Sequence, residues 1–205
     1  MDKFLLDNYF PDVVGGTFLE CGAFDGVVES CCKFFEEFRG WRGVNVEPVP
    51  YLYERLCKNR PHANNINVAL TDEARAKLGP SVFHQAIHPV IGRNFGNGSL
   101  SHTGAHIRDL KARGCSFEEI RVPTMTYTQL IHHCQLTKLD LFVLDVEGHE
   151  LSVLSGMRSC DVLPEVFCVE RGHVREELYA AVESLGYKFD ATSHNNSFFL
   201  RSGSR

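Results

Sequence analysis

The chain has 205 residues, 43% of them hydrophobic and 23% charged, a balance ordinary for one compact domain that can bury a sizeable core. Its net charge of −5 argues against a general nucleic-acid binder, and no apolar run approaches the roughly 18 residues of a membrane span. Met1 to Phe10 lacks the basic start and apolar middle of a signal peptide, and the eight cysteines show no CxxC spacing, so a cytoplasmic protein with reduced thiols is expected.

A helical segment is predicted within 1–16. Residues 17–23 then read as a strand, Ser30 to Phe38 as a helix, 42–47 as a second strand, and 50–58 as a helix opened by Pro50 in its first turn. Residues 65–70 read as a third strand. After a long interval, 126–134 is helical and 139–146 is a nearly continuous apolar strand. A helix follows from about Glu150, then a strand at 165–170, a helix at 174–184, and strands at 186–190 and 197–201. Strands alternating with helices, and apolar on both faces, predict an α/β doubly wound fold with helices on both sides of a mostly parallel sheet. The short polar link at Asn195 and Asn196 makes the last two strands an antiparallel pair. Trp41, the only tryptophan, reads as a core residue between helix and strand.

The interval from Gly79 to Phe117 differs from the rest. It holds six of the 17 glycines, four of the ten histidines and a single acid, Asp109. With Arg93, Arg108, Lys111 and Arg113 it carries a formal +3. Long irregular segments in compact domains serve as lids or mobile loops, so residues 79–118 are expected to form an acceptor-side loop over the site.

The first strand runs into Glu20-Cys21-Gly22-Ala23-Phe24-Asp25-Gly26 ahead of a helix, where glycines let backbone approach a ligand. The place of a dinucleotide fingerprint's first glycine is taken by Glu20. A carboxylate there obstructs a pyrophosphate but suits the ammonium group of S-adenosylmethionine. Glu47 closes the second strand, where an acid accepts hydrogen bonds from both ribose hydroxyls of an adenosine. Together the two acids favour S-adenosylmethionine over NAD. Backbone around Ala69 is expected to face the adenine, with Asp72 accepting from its amino group. Asp145-Val146-Glu147-Gly148-His149-Glu150 stands where an apolar strand passes into a helix, beside the first loop. Glu150 reads as a helix-start residue, its charge favoured at the dipole's positive end.

The chain resembles the FkbM-type S-adenosylmethionine-dependent methyltransferases. The resemblance is carried by Phe18 to Gly26, Gly40-Trp41-Arg42-Gly43 leading to Val46-Glu47-Pro48, Asn59-Arg60, Val122-Pro123, and Leu139-Asp140 running into Asp145 to Leu151, then Leu154 and Gly156. Val143 stands where many members carry Lys, and Gly98-Ser99-Leu100-Ser101 matches a Ser-Ser-Leu feature loosely. The resemblance implies a class I, Rossmann-like sheet of seven strands and methylation of a hydroxyl. The implied acceptor is a small molecule, a saccharide or a lipid-linked compound. The cofactor set expected is Glu20, Gly22, Ala23, Phe24, Asp25, Gly26, Ser30, Glu47, Pro48, Ala69 and Asp145.

A hydroxyl acceptor needs a base, and His149 is the first candidate because a free imidazole titrates near neutrality. Asp145 and Glu147 follow, then His102 and His173. Nothing in the spacing calls for a metal, although Asp145, Glu147 and Glu170 at neighbouring strand ends carry oxygen ligands. The competing reading is a catalytically inactive interaction module on the same fold. Glu20, Gly22, Gly26, Glu47 and Asp145 count against it, since a bare scaffold does not require all five.

Overall fold

The computed structural model describes residues 2–172 and 175–203. The chain opens with α1 (Asp2–Asn8), followed by β1 (Thr17–Cys21), α2 (Lys33–Arg39), β2 (Arg42–Val46), α3 (Pro50–Asn59) and β3 (Asn64–Ile66). It then leaves the main sheet through β4 (Ala69–Leu70), α4 (Glu73–Lys77), β5 (Ser81–Ile87), β6 (Gly98–Ser99), α5 (Gly104–Ala112), β7 (Ser116–Val122) and β8 (Thr124–Met125). Alternation resumes with α6 (Tyr127–His133), β9 (Leu141–Leu144), α7 (Glu150–Ser155), β10 (Val166–Glu170), α8 (Arg175–Ser184), β11 (Tyr187–Ser193) and β12 (Asn196–Arg201).

Seven strands form the main sheet in the order β11-β12-β10-β9-β1-β2-β3. β3, β2, β1, β9 and β10 run parallel, and β12 is antiparallel to both β10 and β11, as the sequence predicts. Period-2 alternation explains the layering. Along β9, Phe142 and Leu144 join a core with Leu130, Val153 and Leu178 from α6, α7 and α8, while Leu141 and Val143 face Leu5 and Phe35 from α1 and α2. Both faces are therefore covered, and β9 is apolar throughout. Trp41 packs between Phe10 and Phe35 with its indole N–H on the Val13 carbonyl, the core role expected of it. All eight cysteines are free, and burial pushes the thiols of Cys21, Cys32 and Cys168 up, which suits inert core packing.

Three expectations need correction. The helix predicted from Ser30 starts at Lys33, because the Ser30 hydroxyl and the Cys31 N–H are drawn to Glu20 instead. The third strand is split: β3 stays in the main sheet, and after Asn67 the chain pairs as β4 with β8 in a separate parallel sheet. Asn67 forces the break by donating to the carbonyls of Glu47 and Pro48. Finally, 79–118 is not an irregular loop. β5 pairs antiparallel with β6 and β7, and α5 packs Leu110 against Ala86 and Cys115. Several glycines of the interval serve as left-handed turns, and Gly98 makes a close approach to Phe83.

The direction of winding reverses between β1 and β9. In an open α/β sheet a ligand crevice opens there, at the carboxyl ends of the strands.

Candidate active site

A cleft of about 980 Å³ lies at that reversal, lined from the β1, β2, β9 and β10 ends on one side and the β5–β7 sheet on the other. Gly22 makes the close approach possible. It sits at φ +86, and a Cβ there would lie 1.8 Å from the Asp145 carbonyl oxygen. β1 and β9 meet at this point, with the Asp145 N–H donating to Cys21. Past Gly22, the loop is braced by Glu47, whose two oxygens accept from the Phe24 and Val49 N–H groups at 3.0 and 2.8 Å. Burial pushes the Glu47 carboxyl up to about 8, against the pull of those two donors.

Glu20 forms part of the floor. Its oxygens accept from the Ser30 hydroxyl and the Cys31 N–H, both at 2.7 Å, and Arg60 Nη1 stands 3.7 Å away. Arg60 is fully buried and also holds Glu36 at 2.5 Å. Burial raises the Glu20 carboxyl, opposed by Ser30 and Arg60.

Of the expected cofactor residues, Glu20, Gly22, Ala23, Phe24, Ser30, Glu47, Pro48, Ala69 and Asp145 line the cleft. Asp25 and Gly26 do not, which corrects the expectation for both. Asp25 is turned inward, accepting from Val27 and Val28 N–H and pairing with Arg55 at 2.7 Å. Gly26 faces away, where a Cβ would strike Leu56 and Arg60. Asp72 is likewise engaged elsewhere: it caps α4 by accepting from the Arg75 N–H, so it is not the adenine partner expected of it.

At the end of β9, Asp145, Glu147 and Glu170 bring carboxylate oxygens within 4.8 Å of one another. Three such groups cannot all ionise near neutral pH. Burial and then the neighbouring Glu170 and Glu147 hold the Asp145 carboxyl well above its usual range. Glu147 is pushed up to about 8, by burial first and then by Glu170, Glu150 and Glu29. It occupies a left-handed backbone position, φ +56, followed by Gly148 at φ +98. That turn aims Glu147 away from the strand direction and into the cleft. Glu150 starts α7 as expected, and its carboxylate accepts from the Gly148 and Val146 N–H groups.

His149 lines the cleft but is buried against Thr71, with Nε2 2.9 Å from the hydroxyl. Burial, then Arg75, lower its pKa to about 4. The imidazole is neutral and weakly basic. His102 does not line the cleft; its Nε2 stands 3.3 Å from the Asn97 carbonyl oxygen, and its pKa is lowered to about 4, by burial first and then His106. His173 lies outside the described residues.

Sequence reasoning missed what the 79–118 segment contributes. Ser99 donates to the Val146 carbonyl at 3.1 Å, and His106 Nε2 stands 3.5 Å from Glu147 Oε2. Phe83, Gln85 and Leu100 line the cleft beside Val49, Leu52 and Ala69. This segment therefore borders the β2 side as well as the β9 side.

The cleft suits a positively charged ligand. Seven carboxylate residues line it, and neither lysine nor arginine does among the described residues.

Comparisons agree with this architecture. Among curated proteins, none matches the chain's sequence. A TehB-like SAM-dependent methyltransferase from Corynebacterium glutamicum is 10% identical with a TM-score of 0.48, covering 98% of this chain and 87% of that one. Fibrillarin from Aeropyrum pernix, solved with natively bound S-adenosyl-L-methionine, is 11% identical with a TM-score of 0.52 over 91% of this chain. The match spans 66% of the fibrillarin chain, and the likeness is one of fold. The family model described as the methyltransferase FkbM domain matches residues 20–189. With that match over most of its length, the chain belongs to the FkbM methyltransferase family, and its cofactor is S-adenosylmethionine.

Proposed function

We propose that the chain is an active enzyme that methylates a hydroxyl oxygen of a small molecule, a saccharide or a lipid-linked acceptor, with Glu147 as the base. The observation that carries this reading is the group of three carboxylates in the cleft, one of them on a left-handed turn at the cleft wall. The cofactor, when bound, supplies a methyl group on a sulfonium; the chain supplies position and a base. The 22–24 backbone approaches the ligand, Glu47 faces the ribose hydroxyls, and Glu20 and Asp145 face the positively charged amino-acid end. Pro48 and Ala69 border the nucleoside.

His149, the first candidate on sequence grounds, is assigned a structural part here. Its Nε2 is committed to Thr71, and a pKa of about 4 makes it a poor proton acceptor at neutral pH. Glu147, raised to about 8, is a stronger base than an ordinary carboxylate once ionised. The sign of the pH dependence follows. Glu147 accepts a proton only in its ionised form, so turnover should rise from pH 6 to 9 with a midpoint near 8. That midpoint belongs to the carboxylate group as a whole. A rate that falls over this range would remove Glu147 from the role.

The binding test is titration calorimetry with S-adenosylmethionine and S-adenosylhomocysteine, with NAD and Glu47→Ala as controls. Both adenosyl ligands should bind, NAD should not, and Glu47→Ala should weaken binding roughly 100-fold through two lost hydrogen bonds. Transfer of labelled methyl to matched alcohols and amines then tests the acceptor atom. Label on the amines alone sinks the hydroxyl reading. Cofactor binding without transfer to any acceptor would favour the interaction module.

A further inference from the structure

Gln85, on β5, is 5% exposed and lines the cleft. Its Nε2 donates to the Tyr51 hydroxyl at 2.6 Å and to the Arg93 carbonyl at 3.2 Å. The Tyr51 hydroxyl in turn donates to that same carbonyl at 2.5 Å. A carbonyl only accepts, so the end of the Gln85 amide facing Arg93 is its NH₂, and the orientation of the group is settled by chemistry. Its Oε1 takes no hydrogen bond from any described residue. With its NH₂ held at the other end, this oxygen is reached from the cleft and offers a ligand an acceptor of fixed orientation.

The surroundings indicate what that ligand group is. Phe83 lies two residues before Gln85 on the same face of β5 and packs with Leu100, Val49, Leu52 and Ala69 in one apolar cluster. Gly98 backs Phe83 so closely that a Cβ there would sit 2.5 Å from its ring. Tyr51, the anchor of Gln85, stands in the first turn of α3, four residues past Glu47. An apolar wall with one oriented acceptor beside it, next to the acid at the end of β2, suits a heteroaromatic base carrying an exocyclic amine.

We propose that Gln85 is a specificity residue that accepts a hydrogen bond from the 6-amino group of the cofactor's adenine, so that the β5–β7 segment takes part in cofactor recognition. The inference rests on S-adenosylmethionine being the cofactor. The test compares S-adenosylhomocysteine with S-inosylhomocysteine, whose 6-position carries an oxygen, by titration calorimetry. The wild-type protein should prefer the adenosyl ligand by roughly tenfold or more, the value of one buried hydrogen bond. Gln85→Met, which keeps length and packing, should bring the two affinities together. Tyr51→Phe frees the amide to turn and should narrow the ratio without altering the apolar wall, which keeps the test open should Gln85→Met not fold.

An equal preference in wild type and both variants overturns the inference, as does loss of both affinities in Gln85→Met at an unchanged ratio. No heat from either ligand with the wild-type protein is the separate outcome that overturns the cofactor reading, and this inference with it.

Discussion

Gly22→Ala should abolish detectable binding of S-adenosylhomocysteine and cost about 3 kcal/mol or more of stability. Two independent penalties combine there. The residue sits at φ +86, where an alanine pays roughly 1–2 kcal/mol for its Cβ. That Cβ would also stand 1.8 Å from the Asp145 carbonyl oxygen, a backbone atom that cannot swing aside. Relief requires β1 and β9 to part where the cleft begins, which displaces both the 22–24 loop and the carboxylate group. For a domain of this size the melting temperature should fall by roughly 6–12 °C. Gly40→Ala is the control, since Gly40 shares the left-handed conformation at φ +63 but its Cβ would meet nothing within 4 Å. Equal losses in the two variants would mean that strain alone, and not the strand approach, requires Gly22.

Glu147→Gln should lower kcat by about 10²- to 10⁴-fold, the range for removing a positioned base, while affinity for S-adenosylhomocysteine changes only a few-fold. Glutamine preserves the shape of the side chain and its reach toward His106, so the loss would report the proton-accepting oxygen. His149→Gln separates the two candidates. With His149 packed on Thr71, its replacement should cost mainly stability, and the pH dependence of turnover should survive. If His149→Gln removes activity and Glu147→Gln does not, the roles are exchanged.

The frame of the site was readable because central parallel strands announce themselves. Leu141 to Leu144 and Val166 to Val169 are buried without interruption, so their apolar runs had one reading. Glu20, Glu47 and Asp145 were found because they stand at strand ends, where the fold itself dictates a position. The remainder depends on partners distant in the chain. His149 looked like a base until Thr71, 78 residues earlier, was seen to hold its Nε2. Asp72 reads as a ligand, yet an Asp directly ahead of the helical run Glu73–Lys77 is itself a cap signal, its side chain accepting from the Arg75 backbone N–H. The β5–β7 sheet is hard to read because neither β5 nor β7 alternates cleanly and its glycines mimic a loop. Gln85 has no motif at all: its meaning comes from Tyr51 and Arg93, which fix one end of an amide and leave the other.

The pairing of β4 with β8 makes the excursion between them a graft. Ala69 stands opposite Thr124, and the Ala69 and Thr71 N–H groups donate to the Pro123 and Met125 carbonyls, so the chain departs and returns beside one short ladder. A segment with its two ends pinned together can lengthen, shorten or be exchanged with little disturbance to its host. Here, however, the graft touches both halves of the cleft: Phe83 and Gln85 stand on the β2 side, while Ser99 and His106 reach the turn after β9. A change in this segment should therefore be felt in both halves of the cleft.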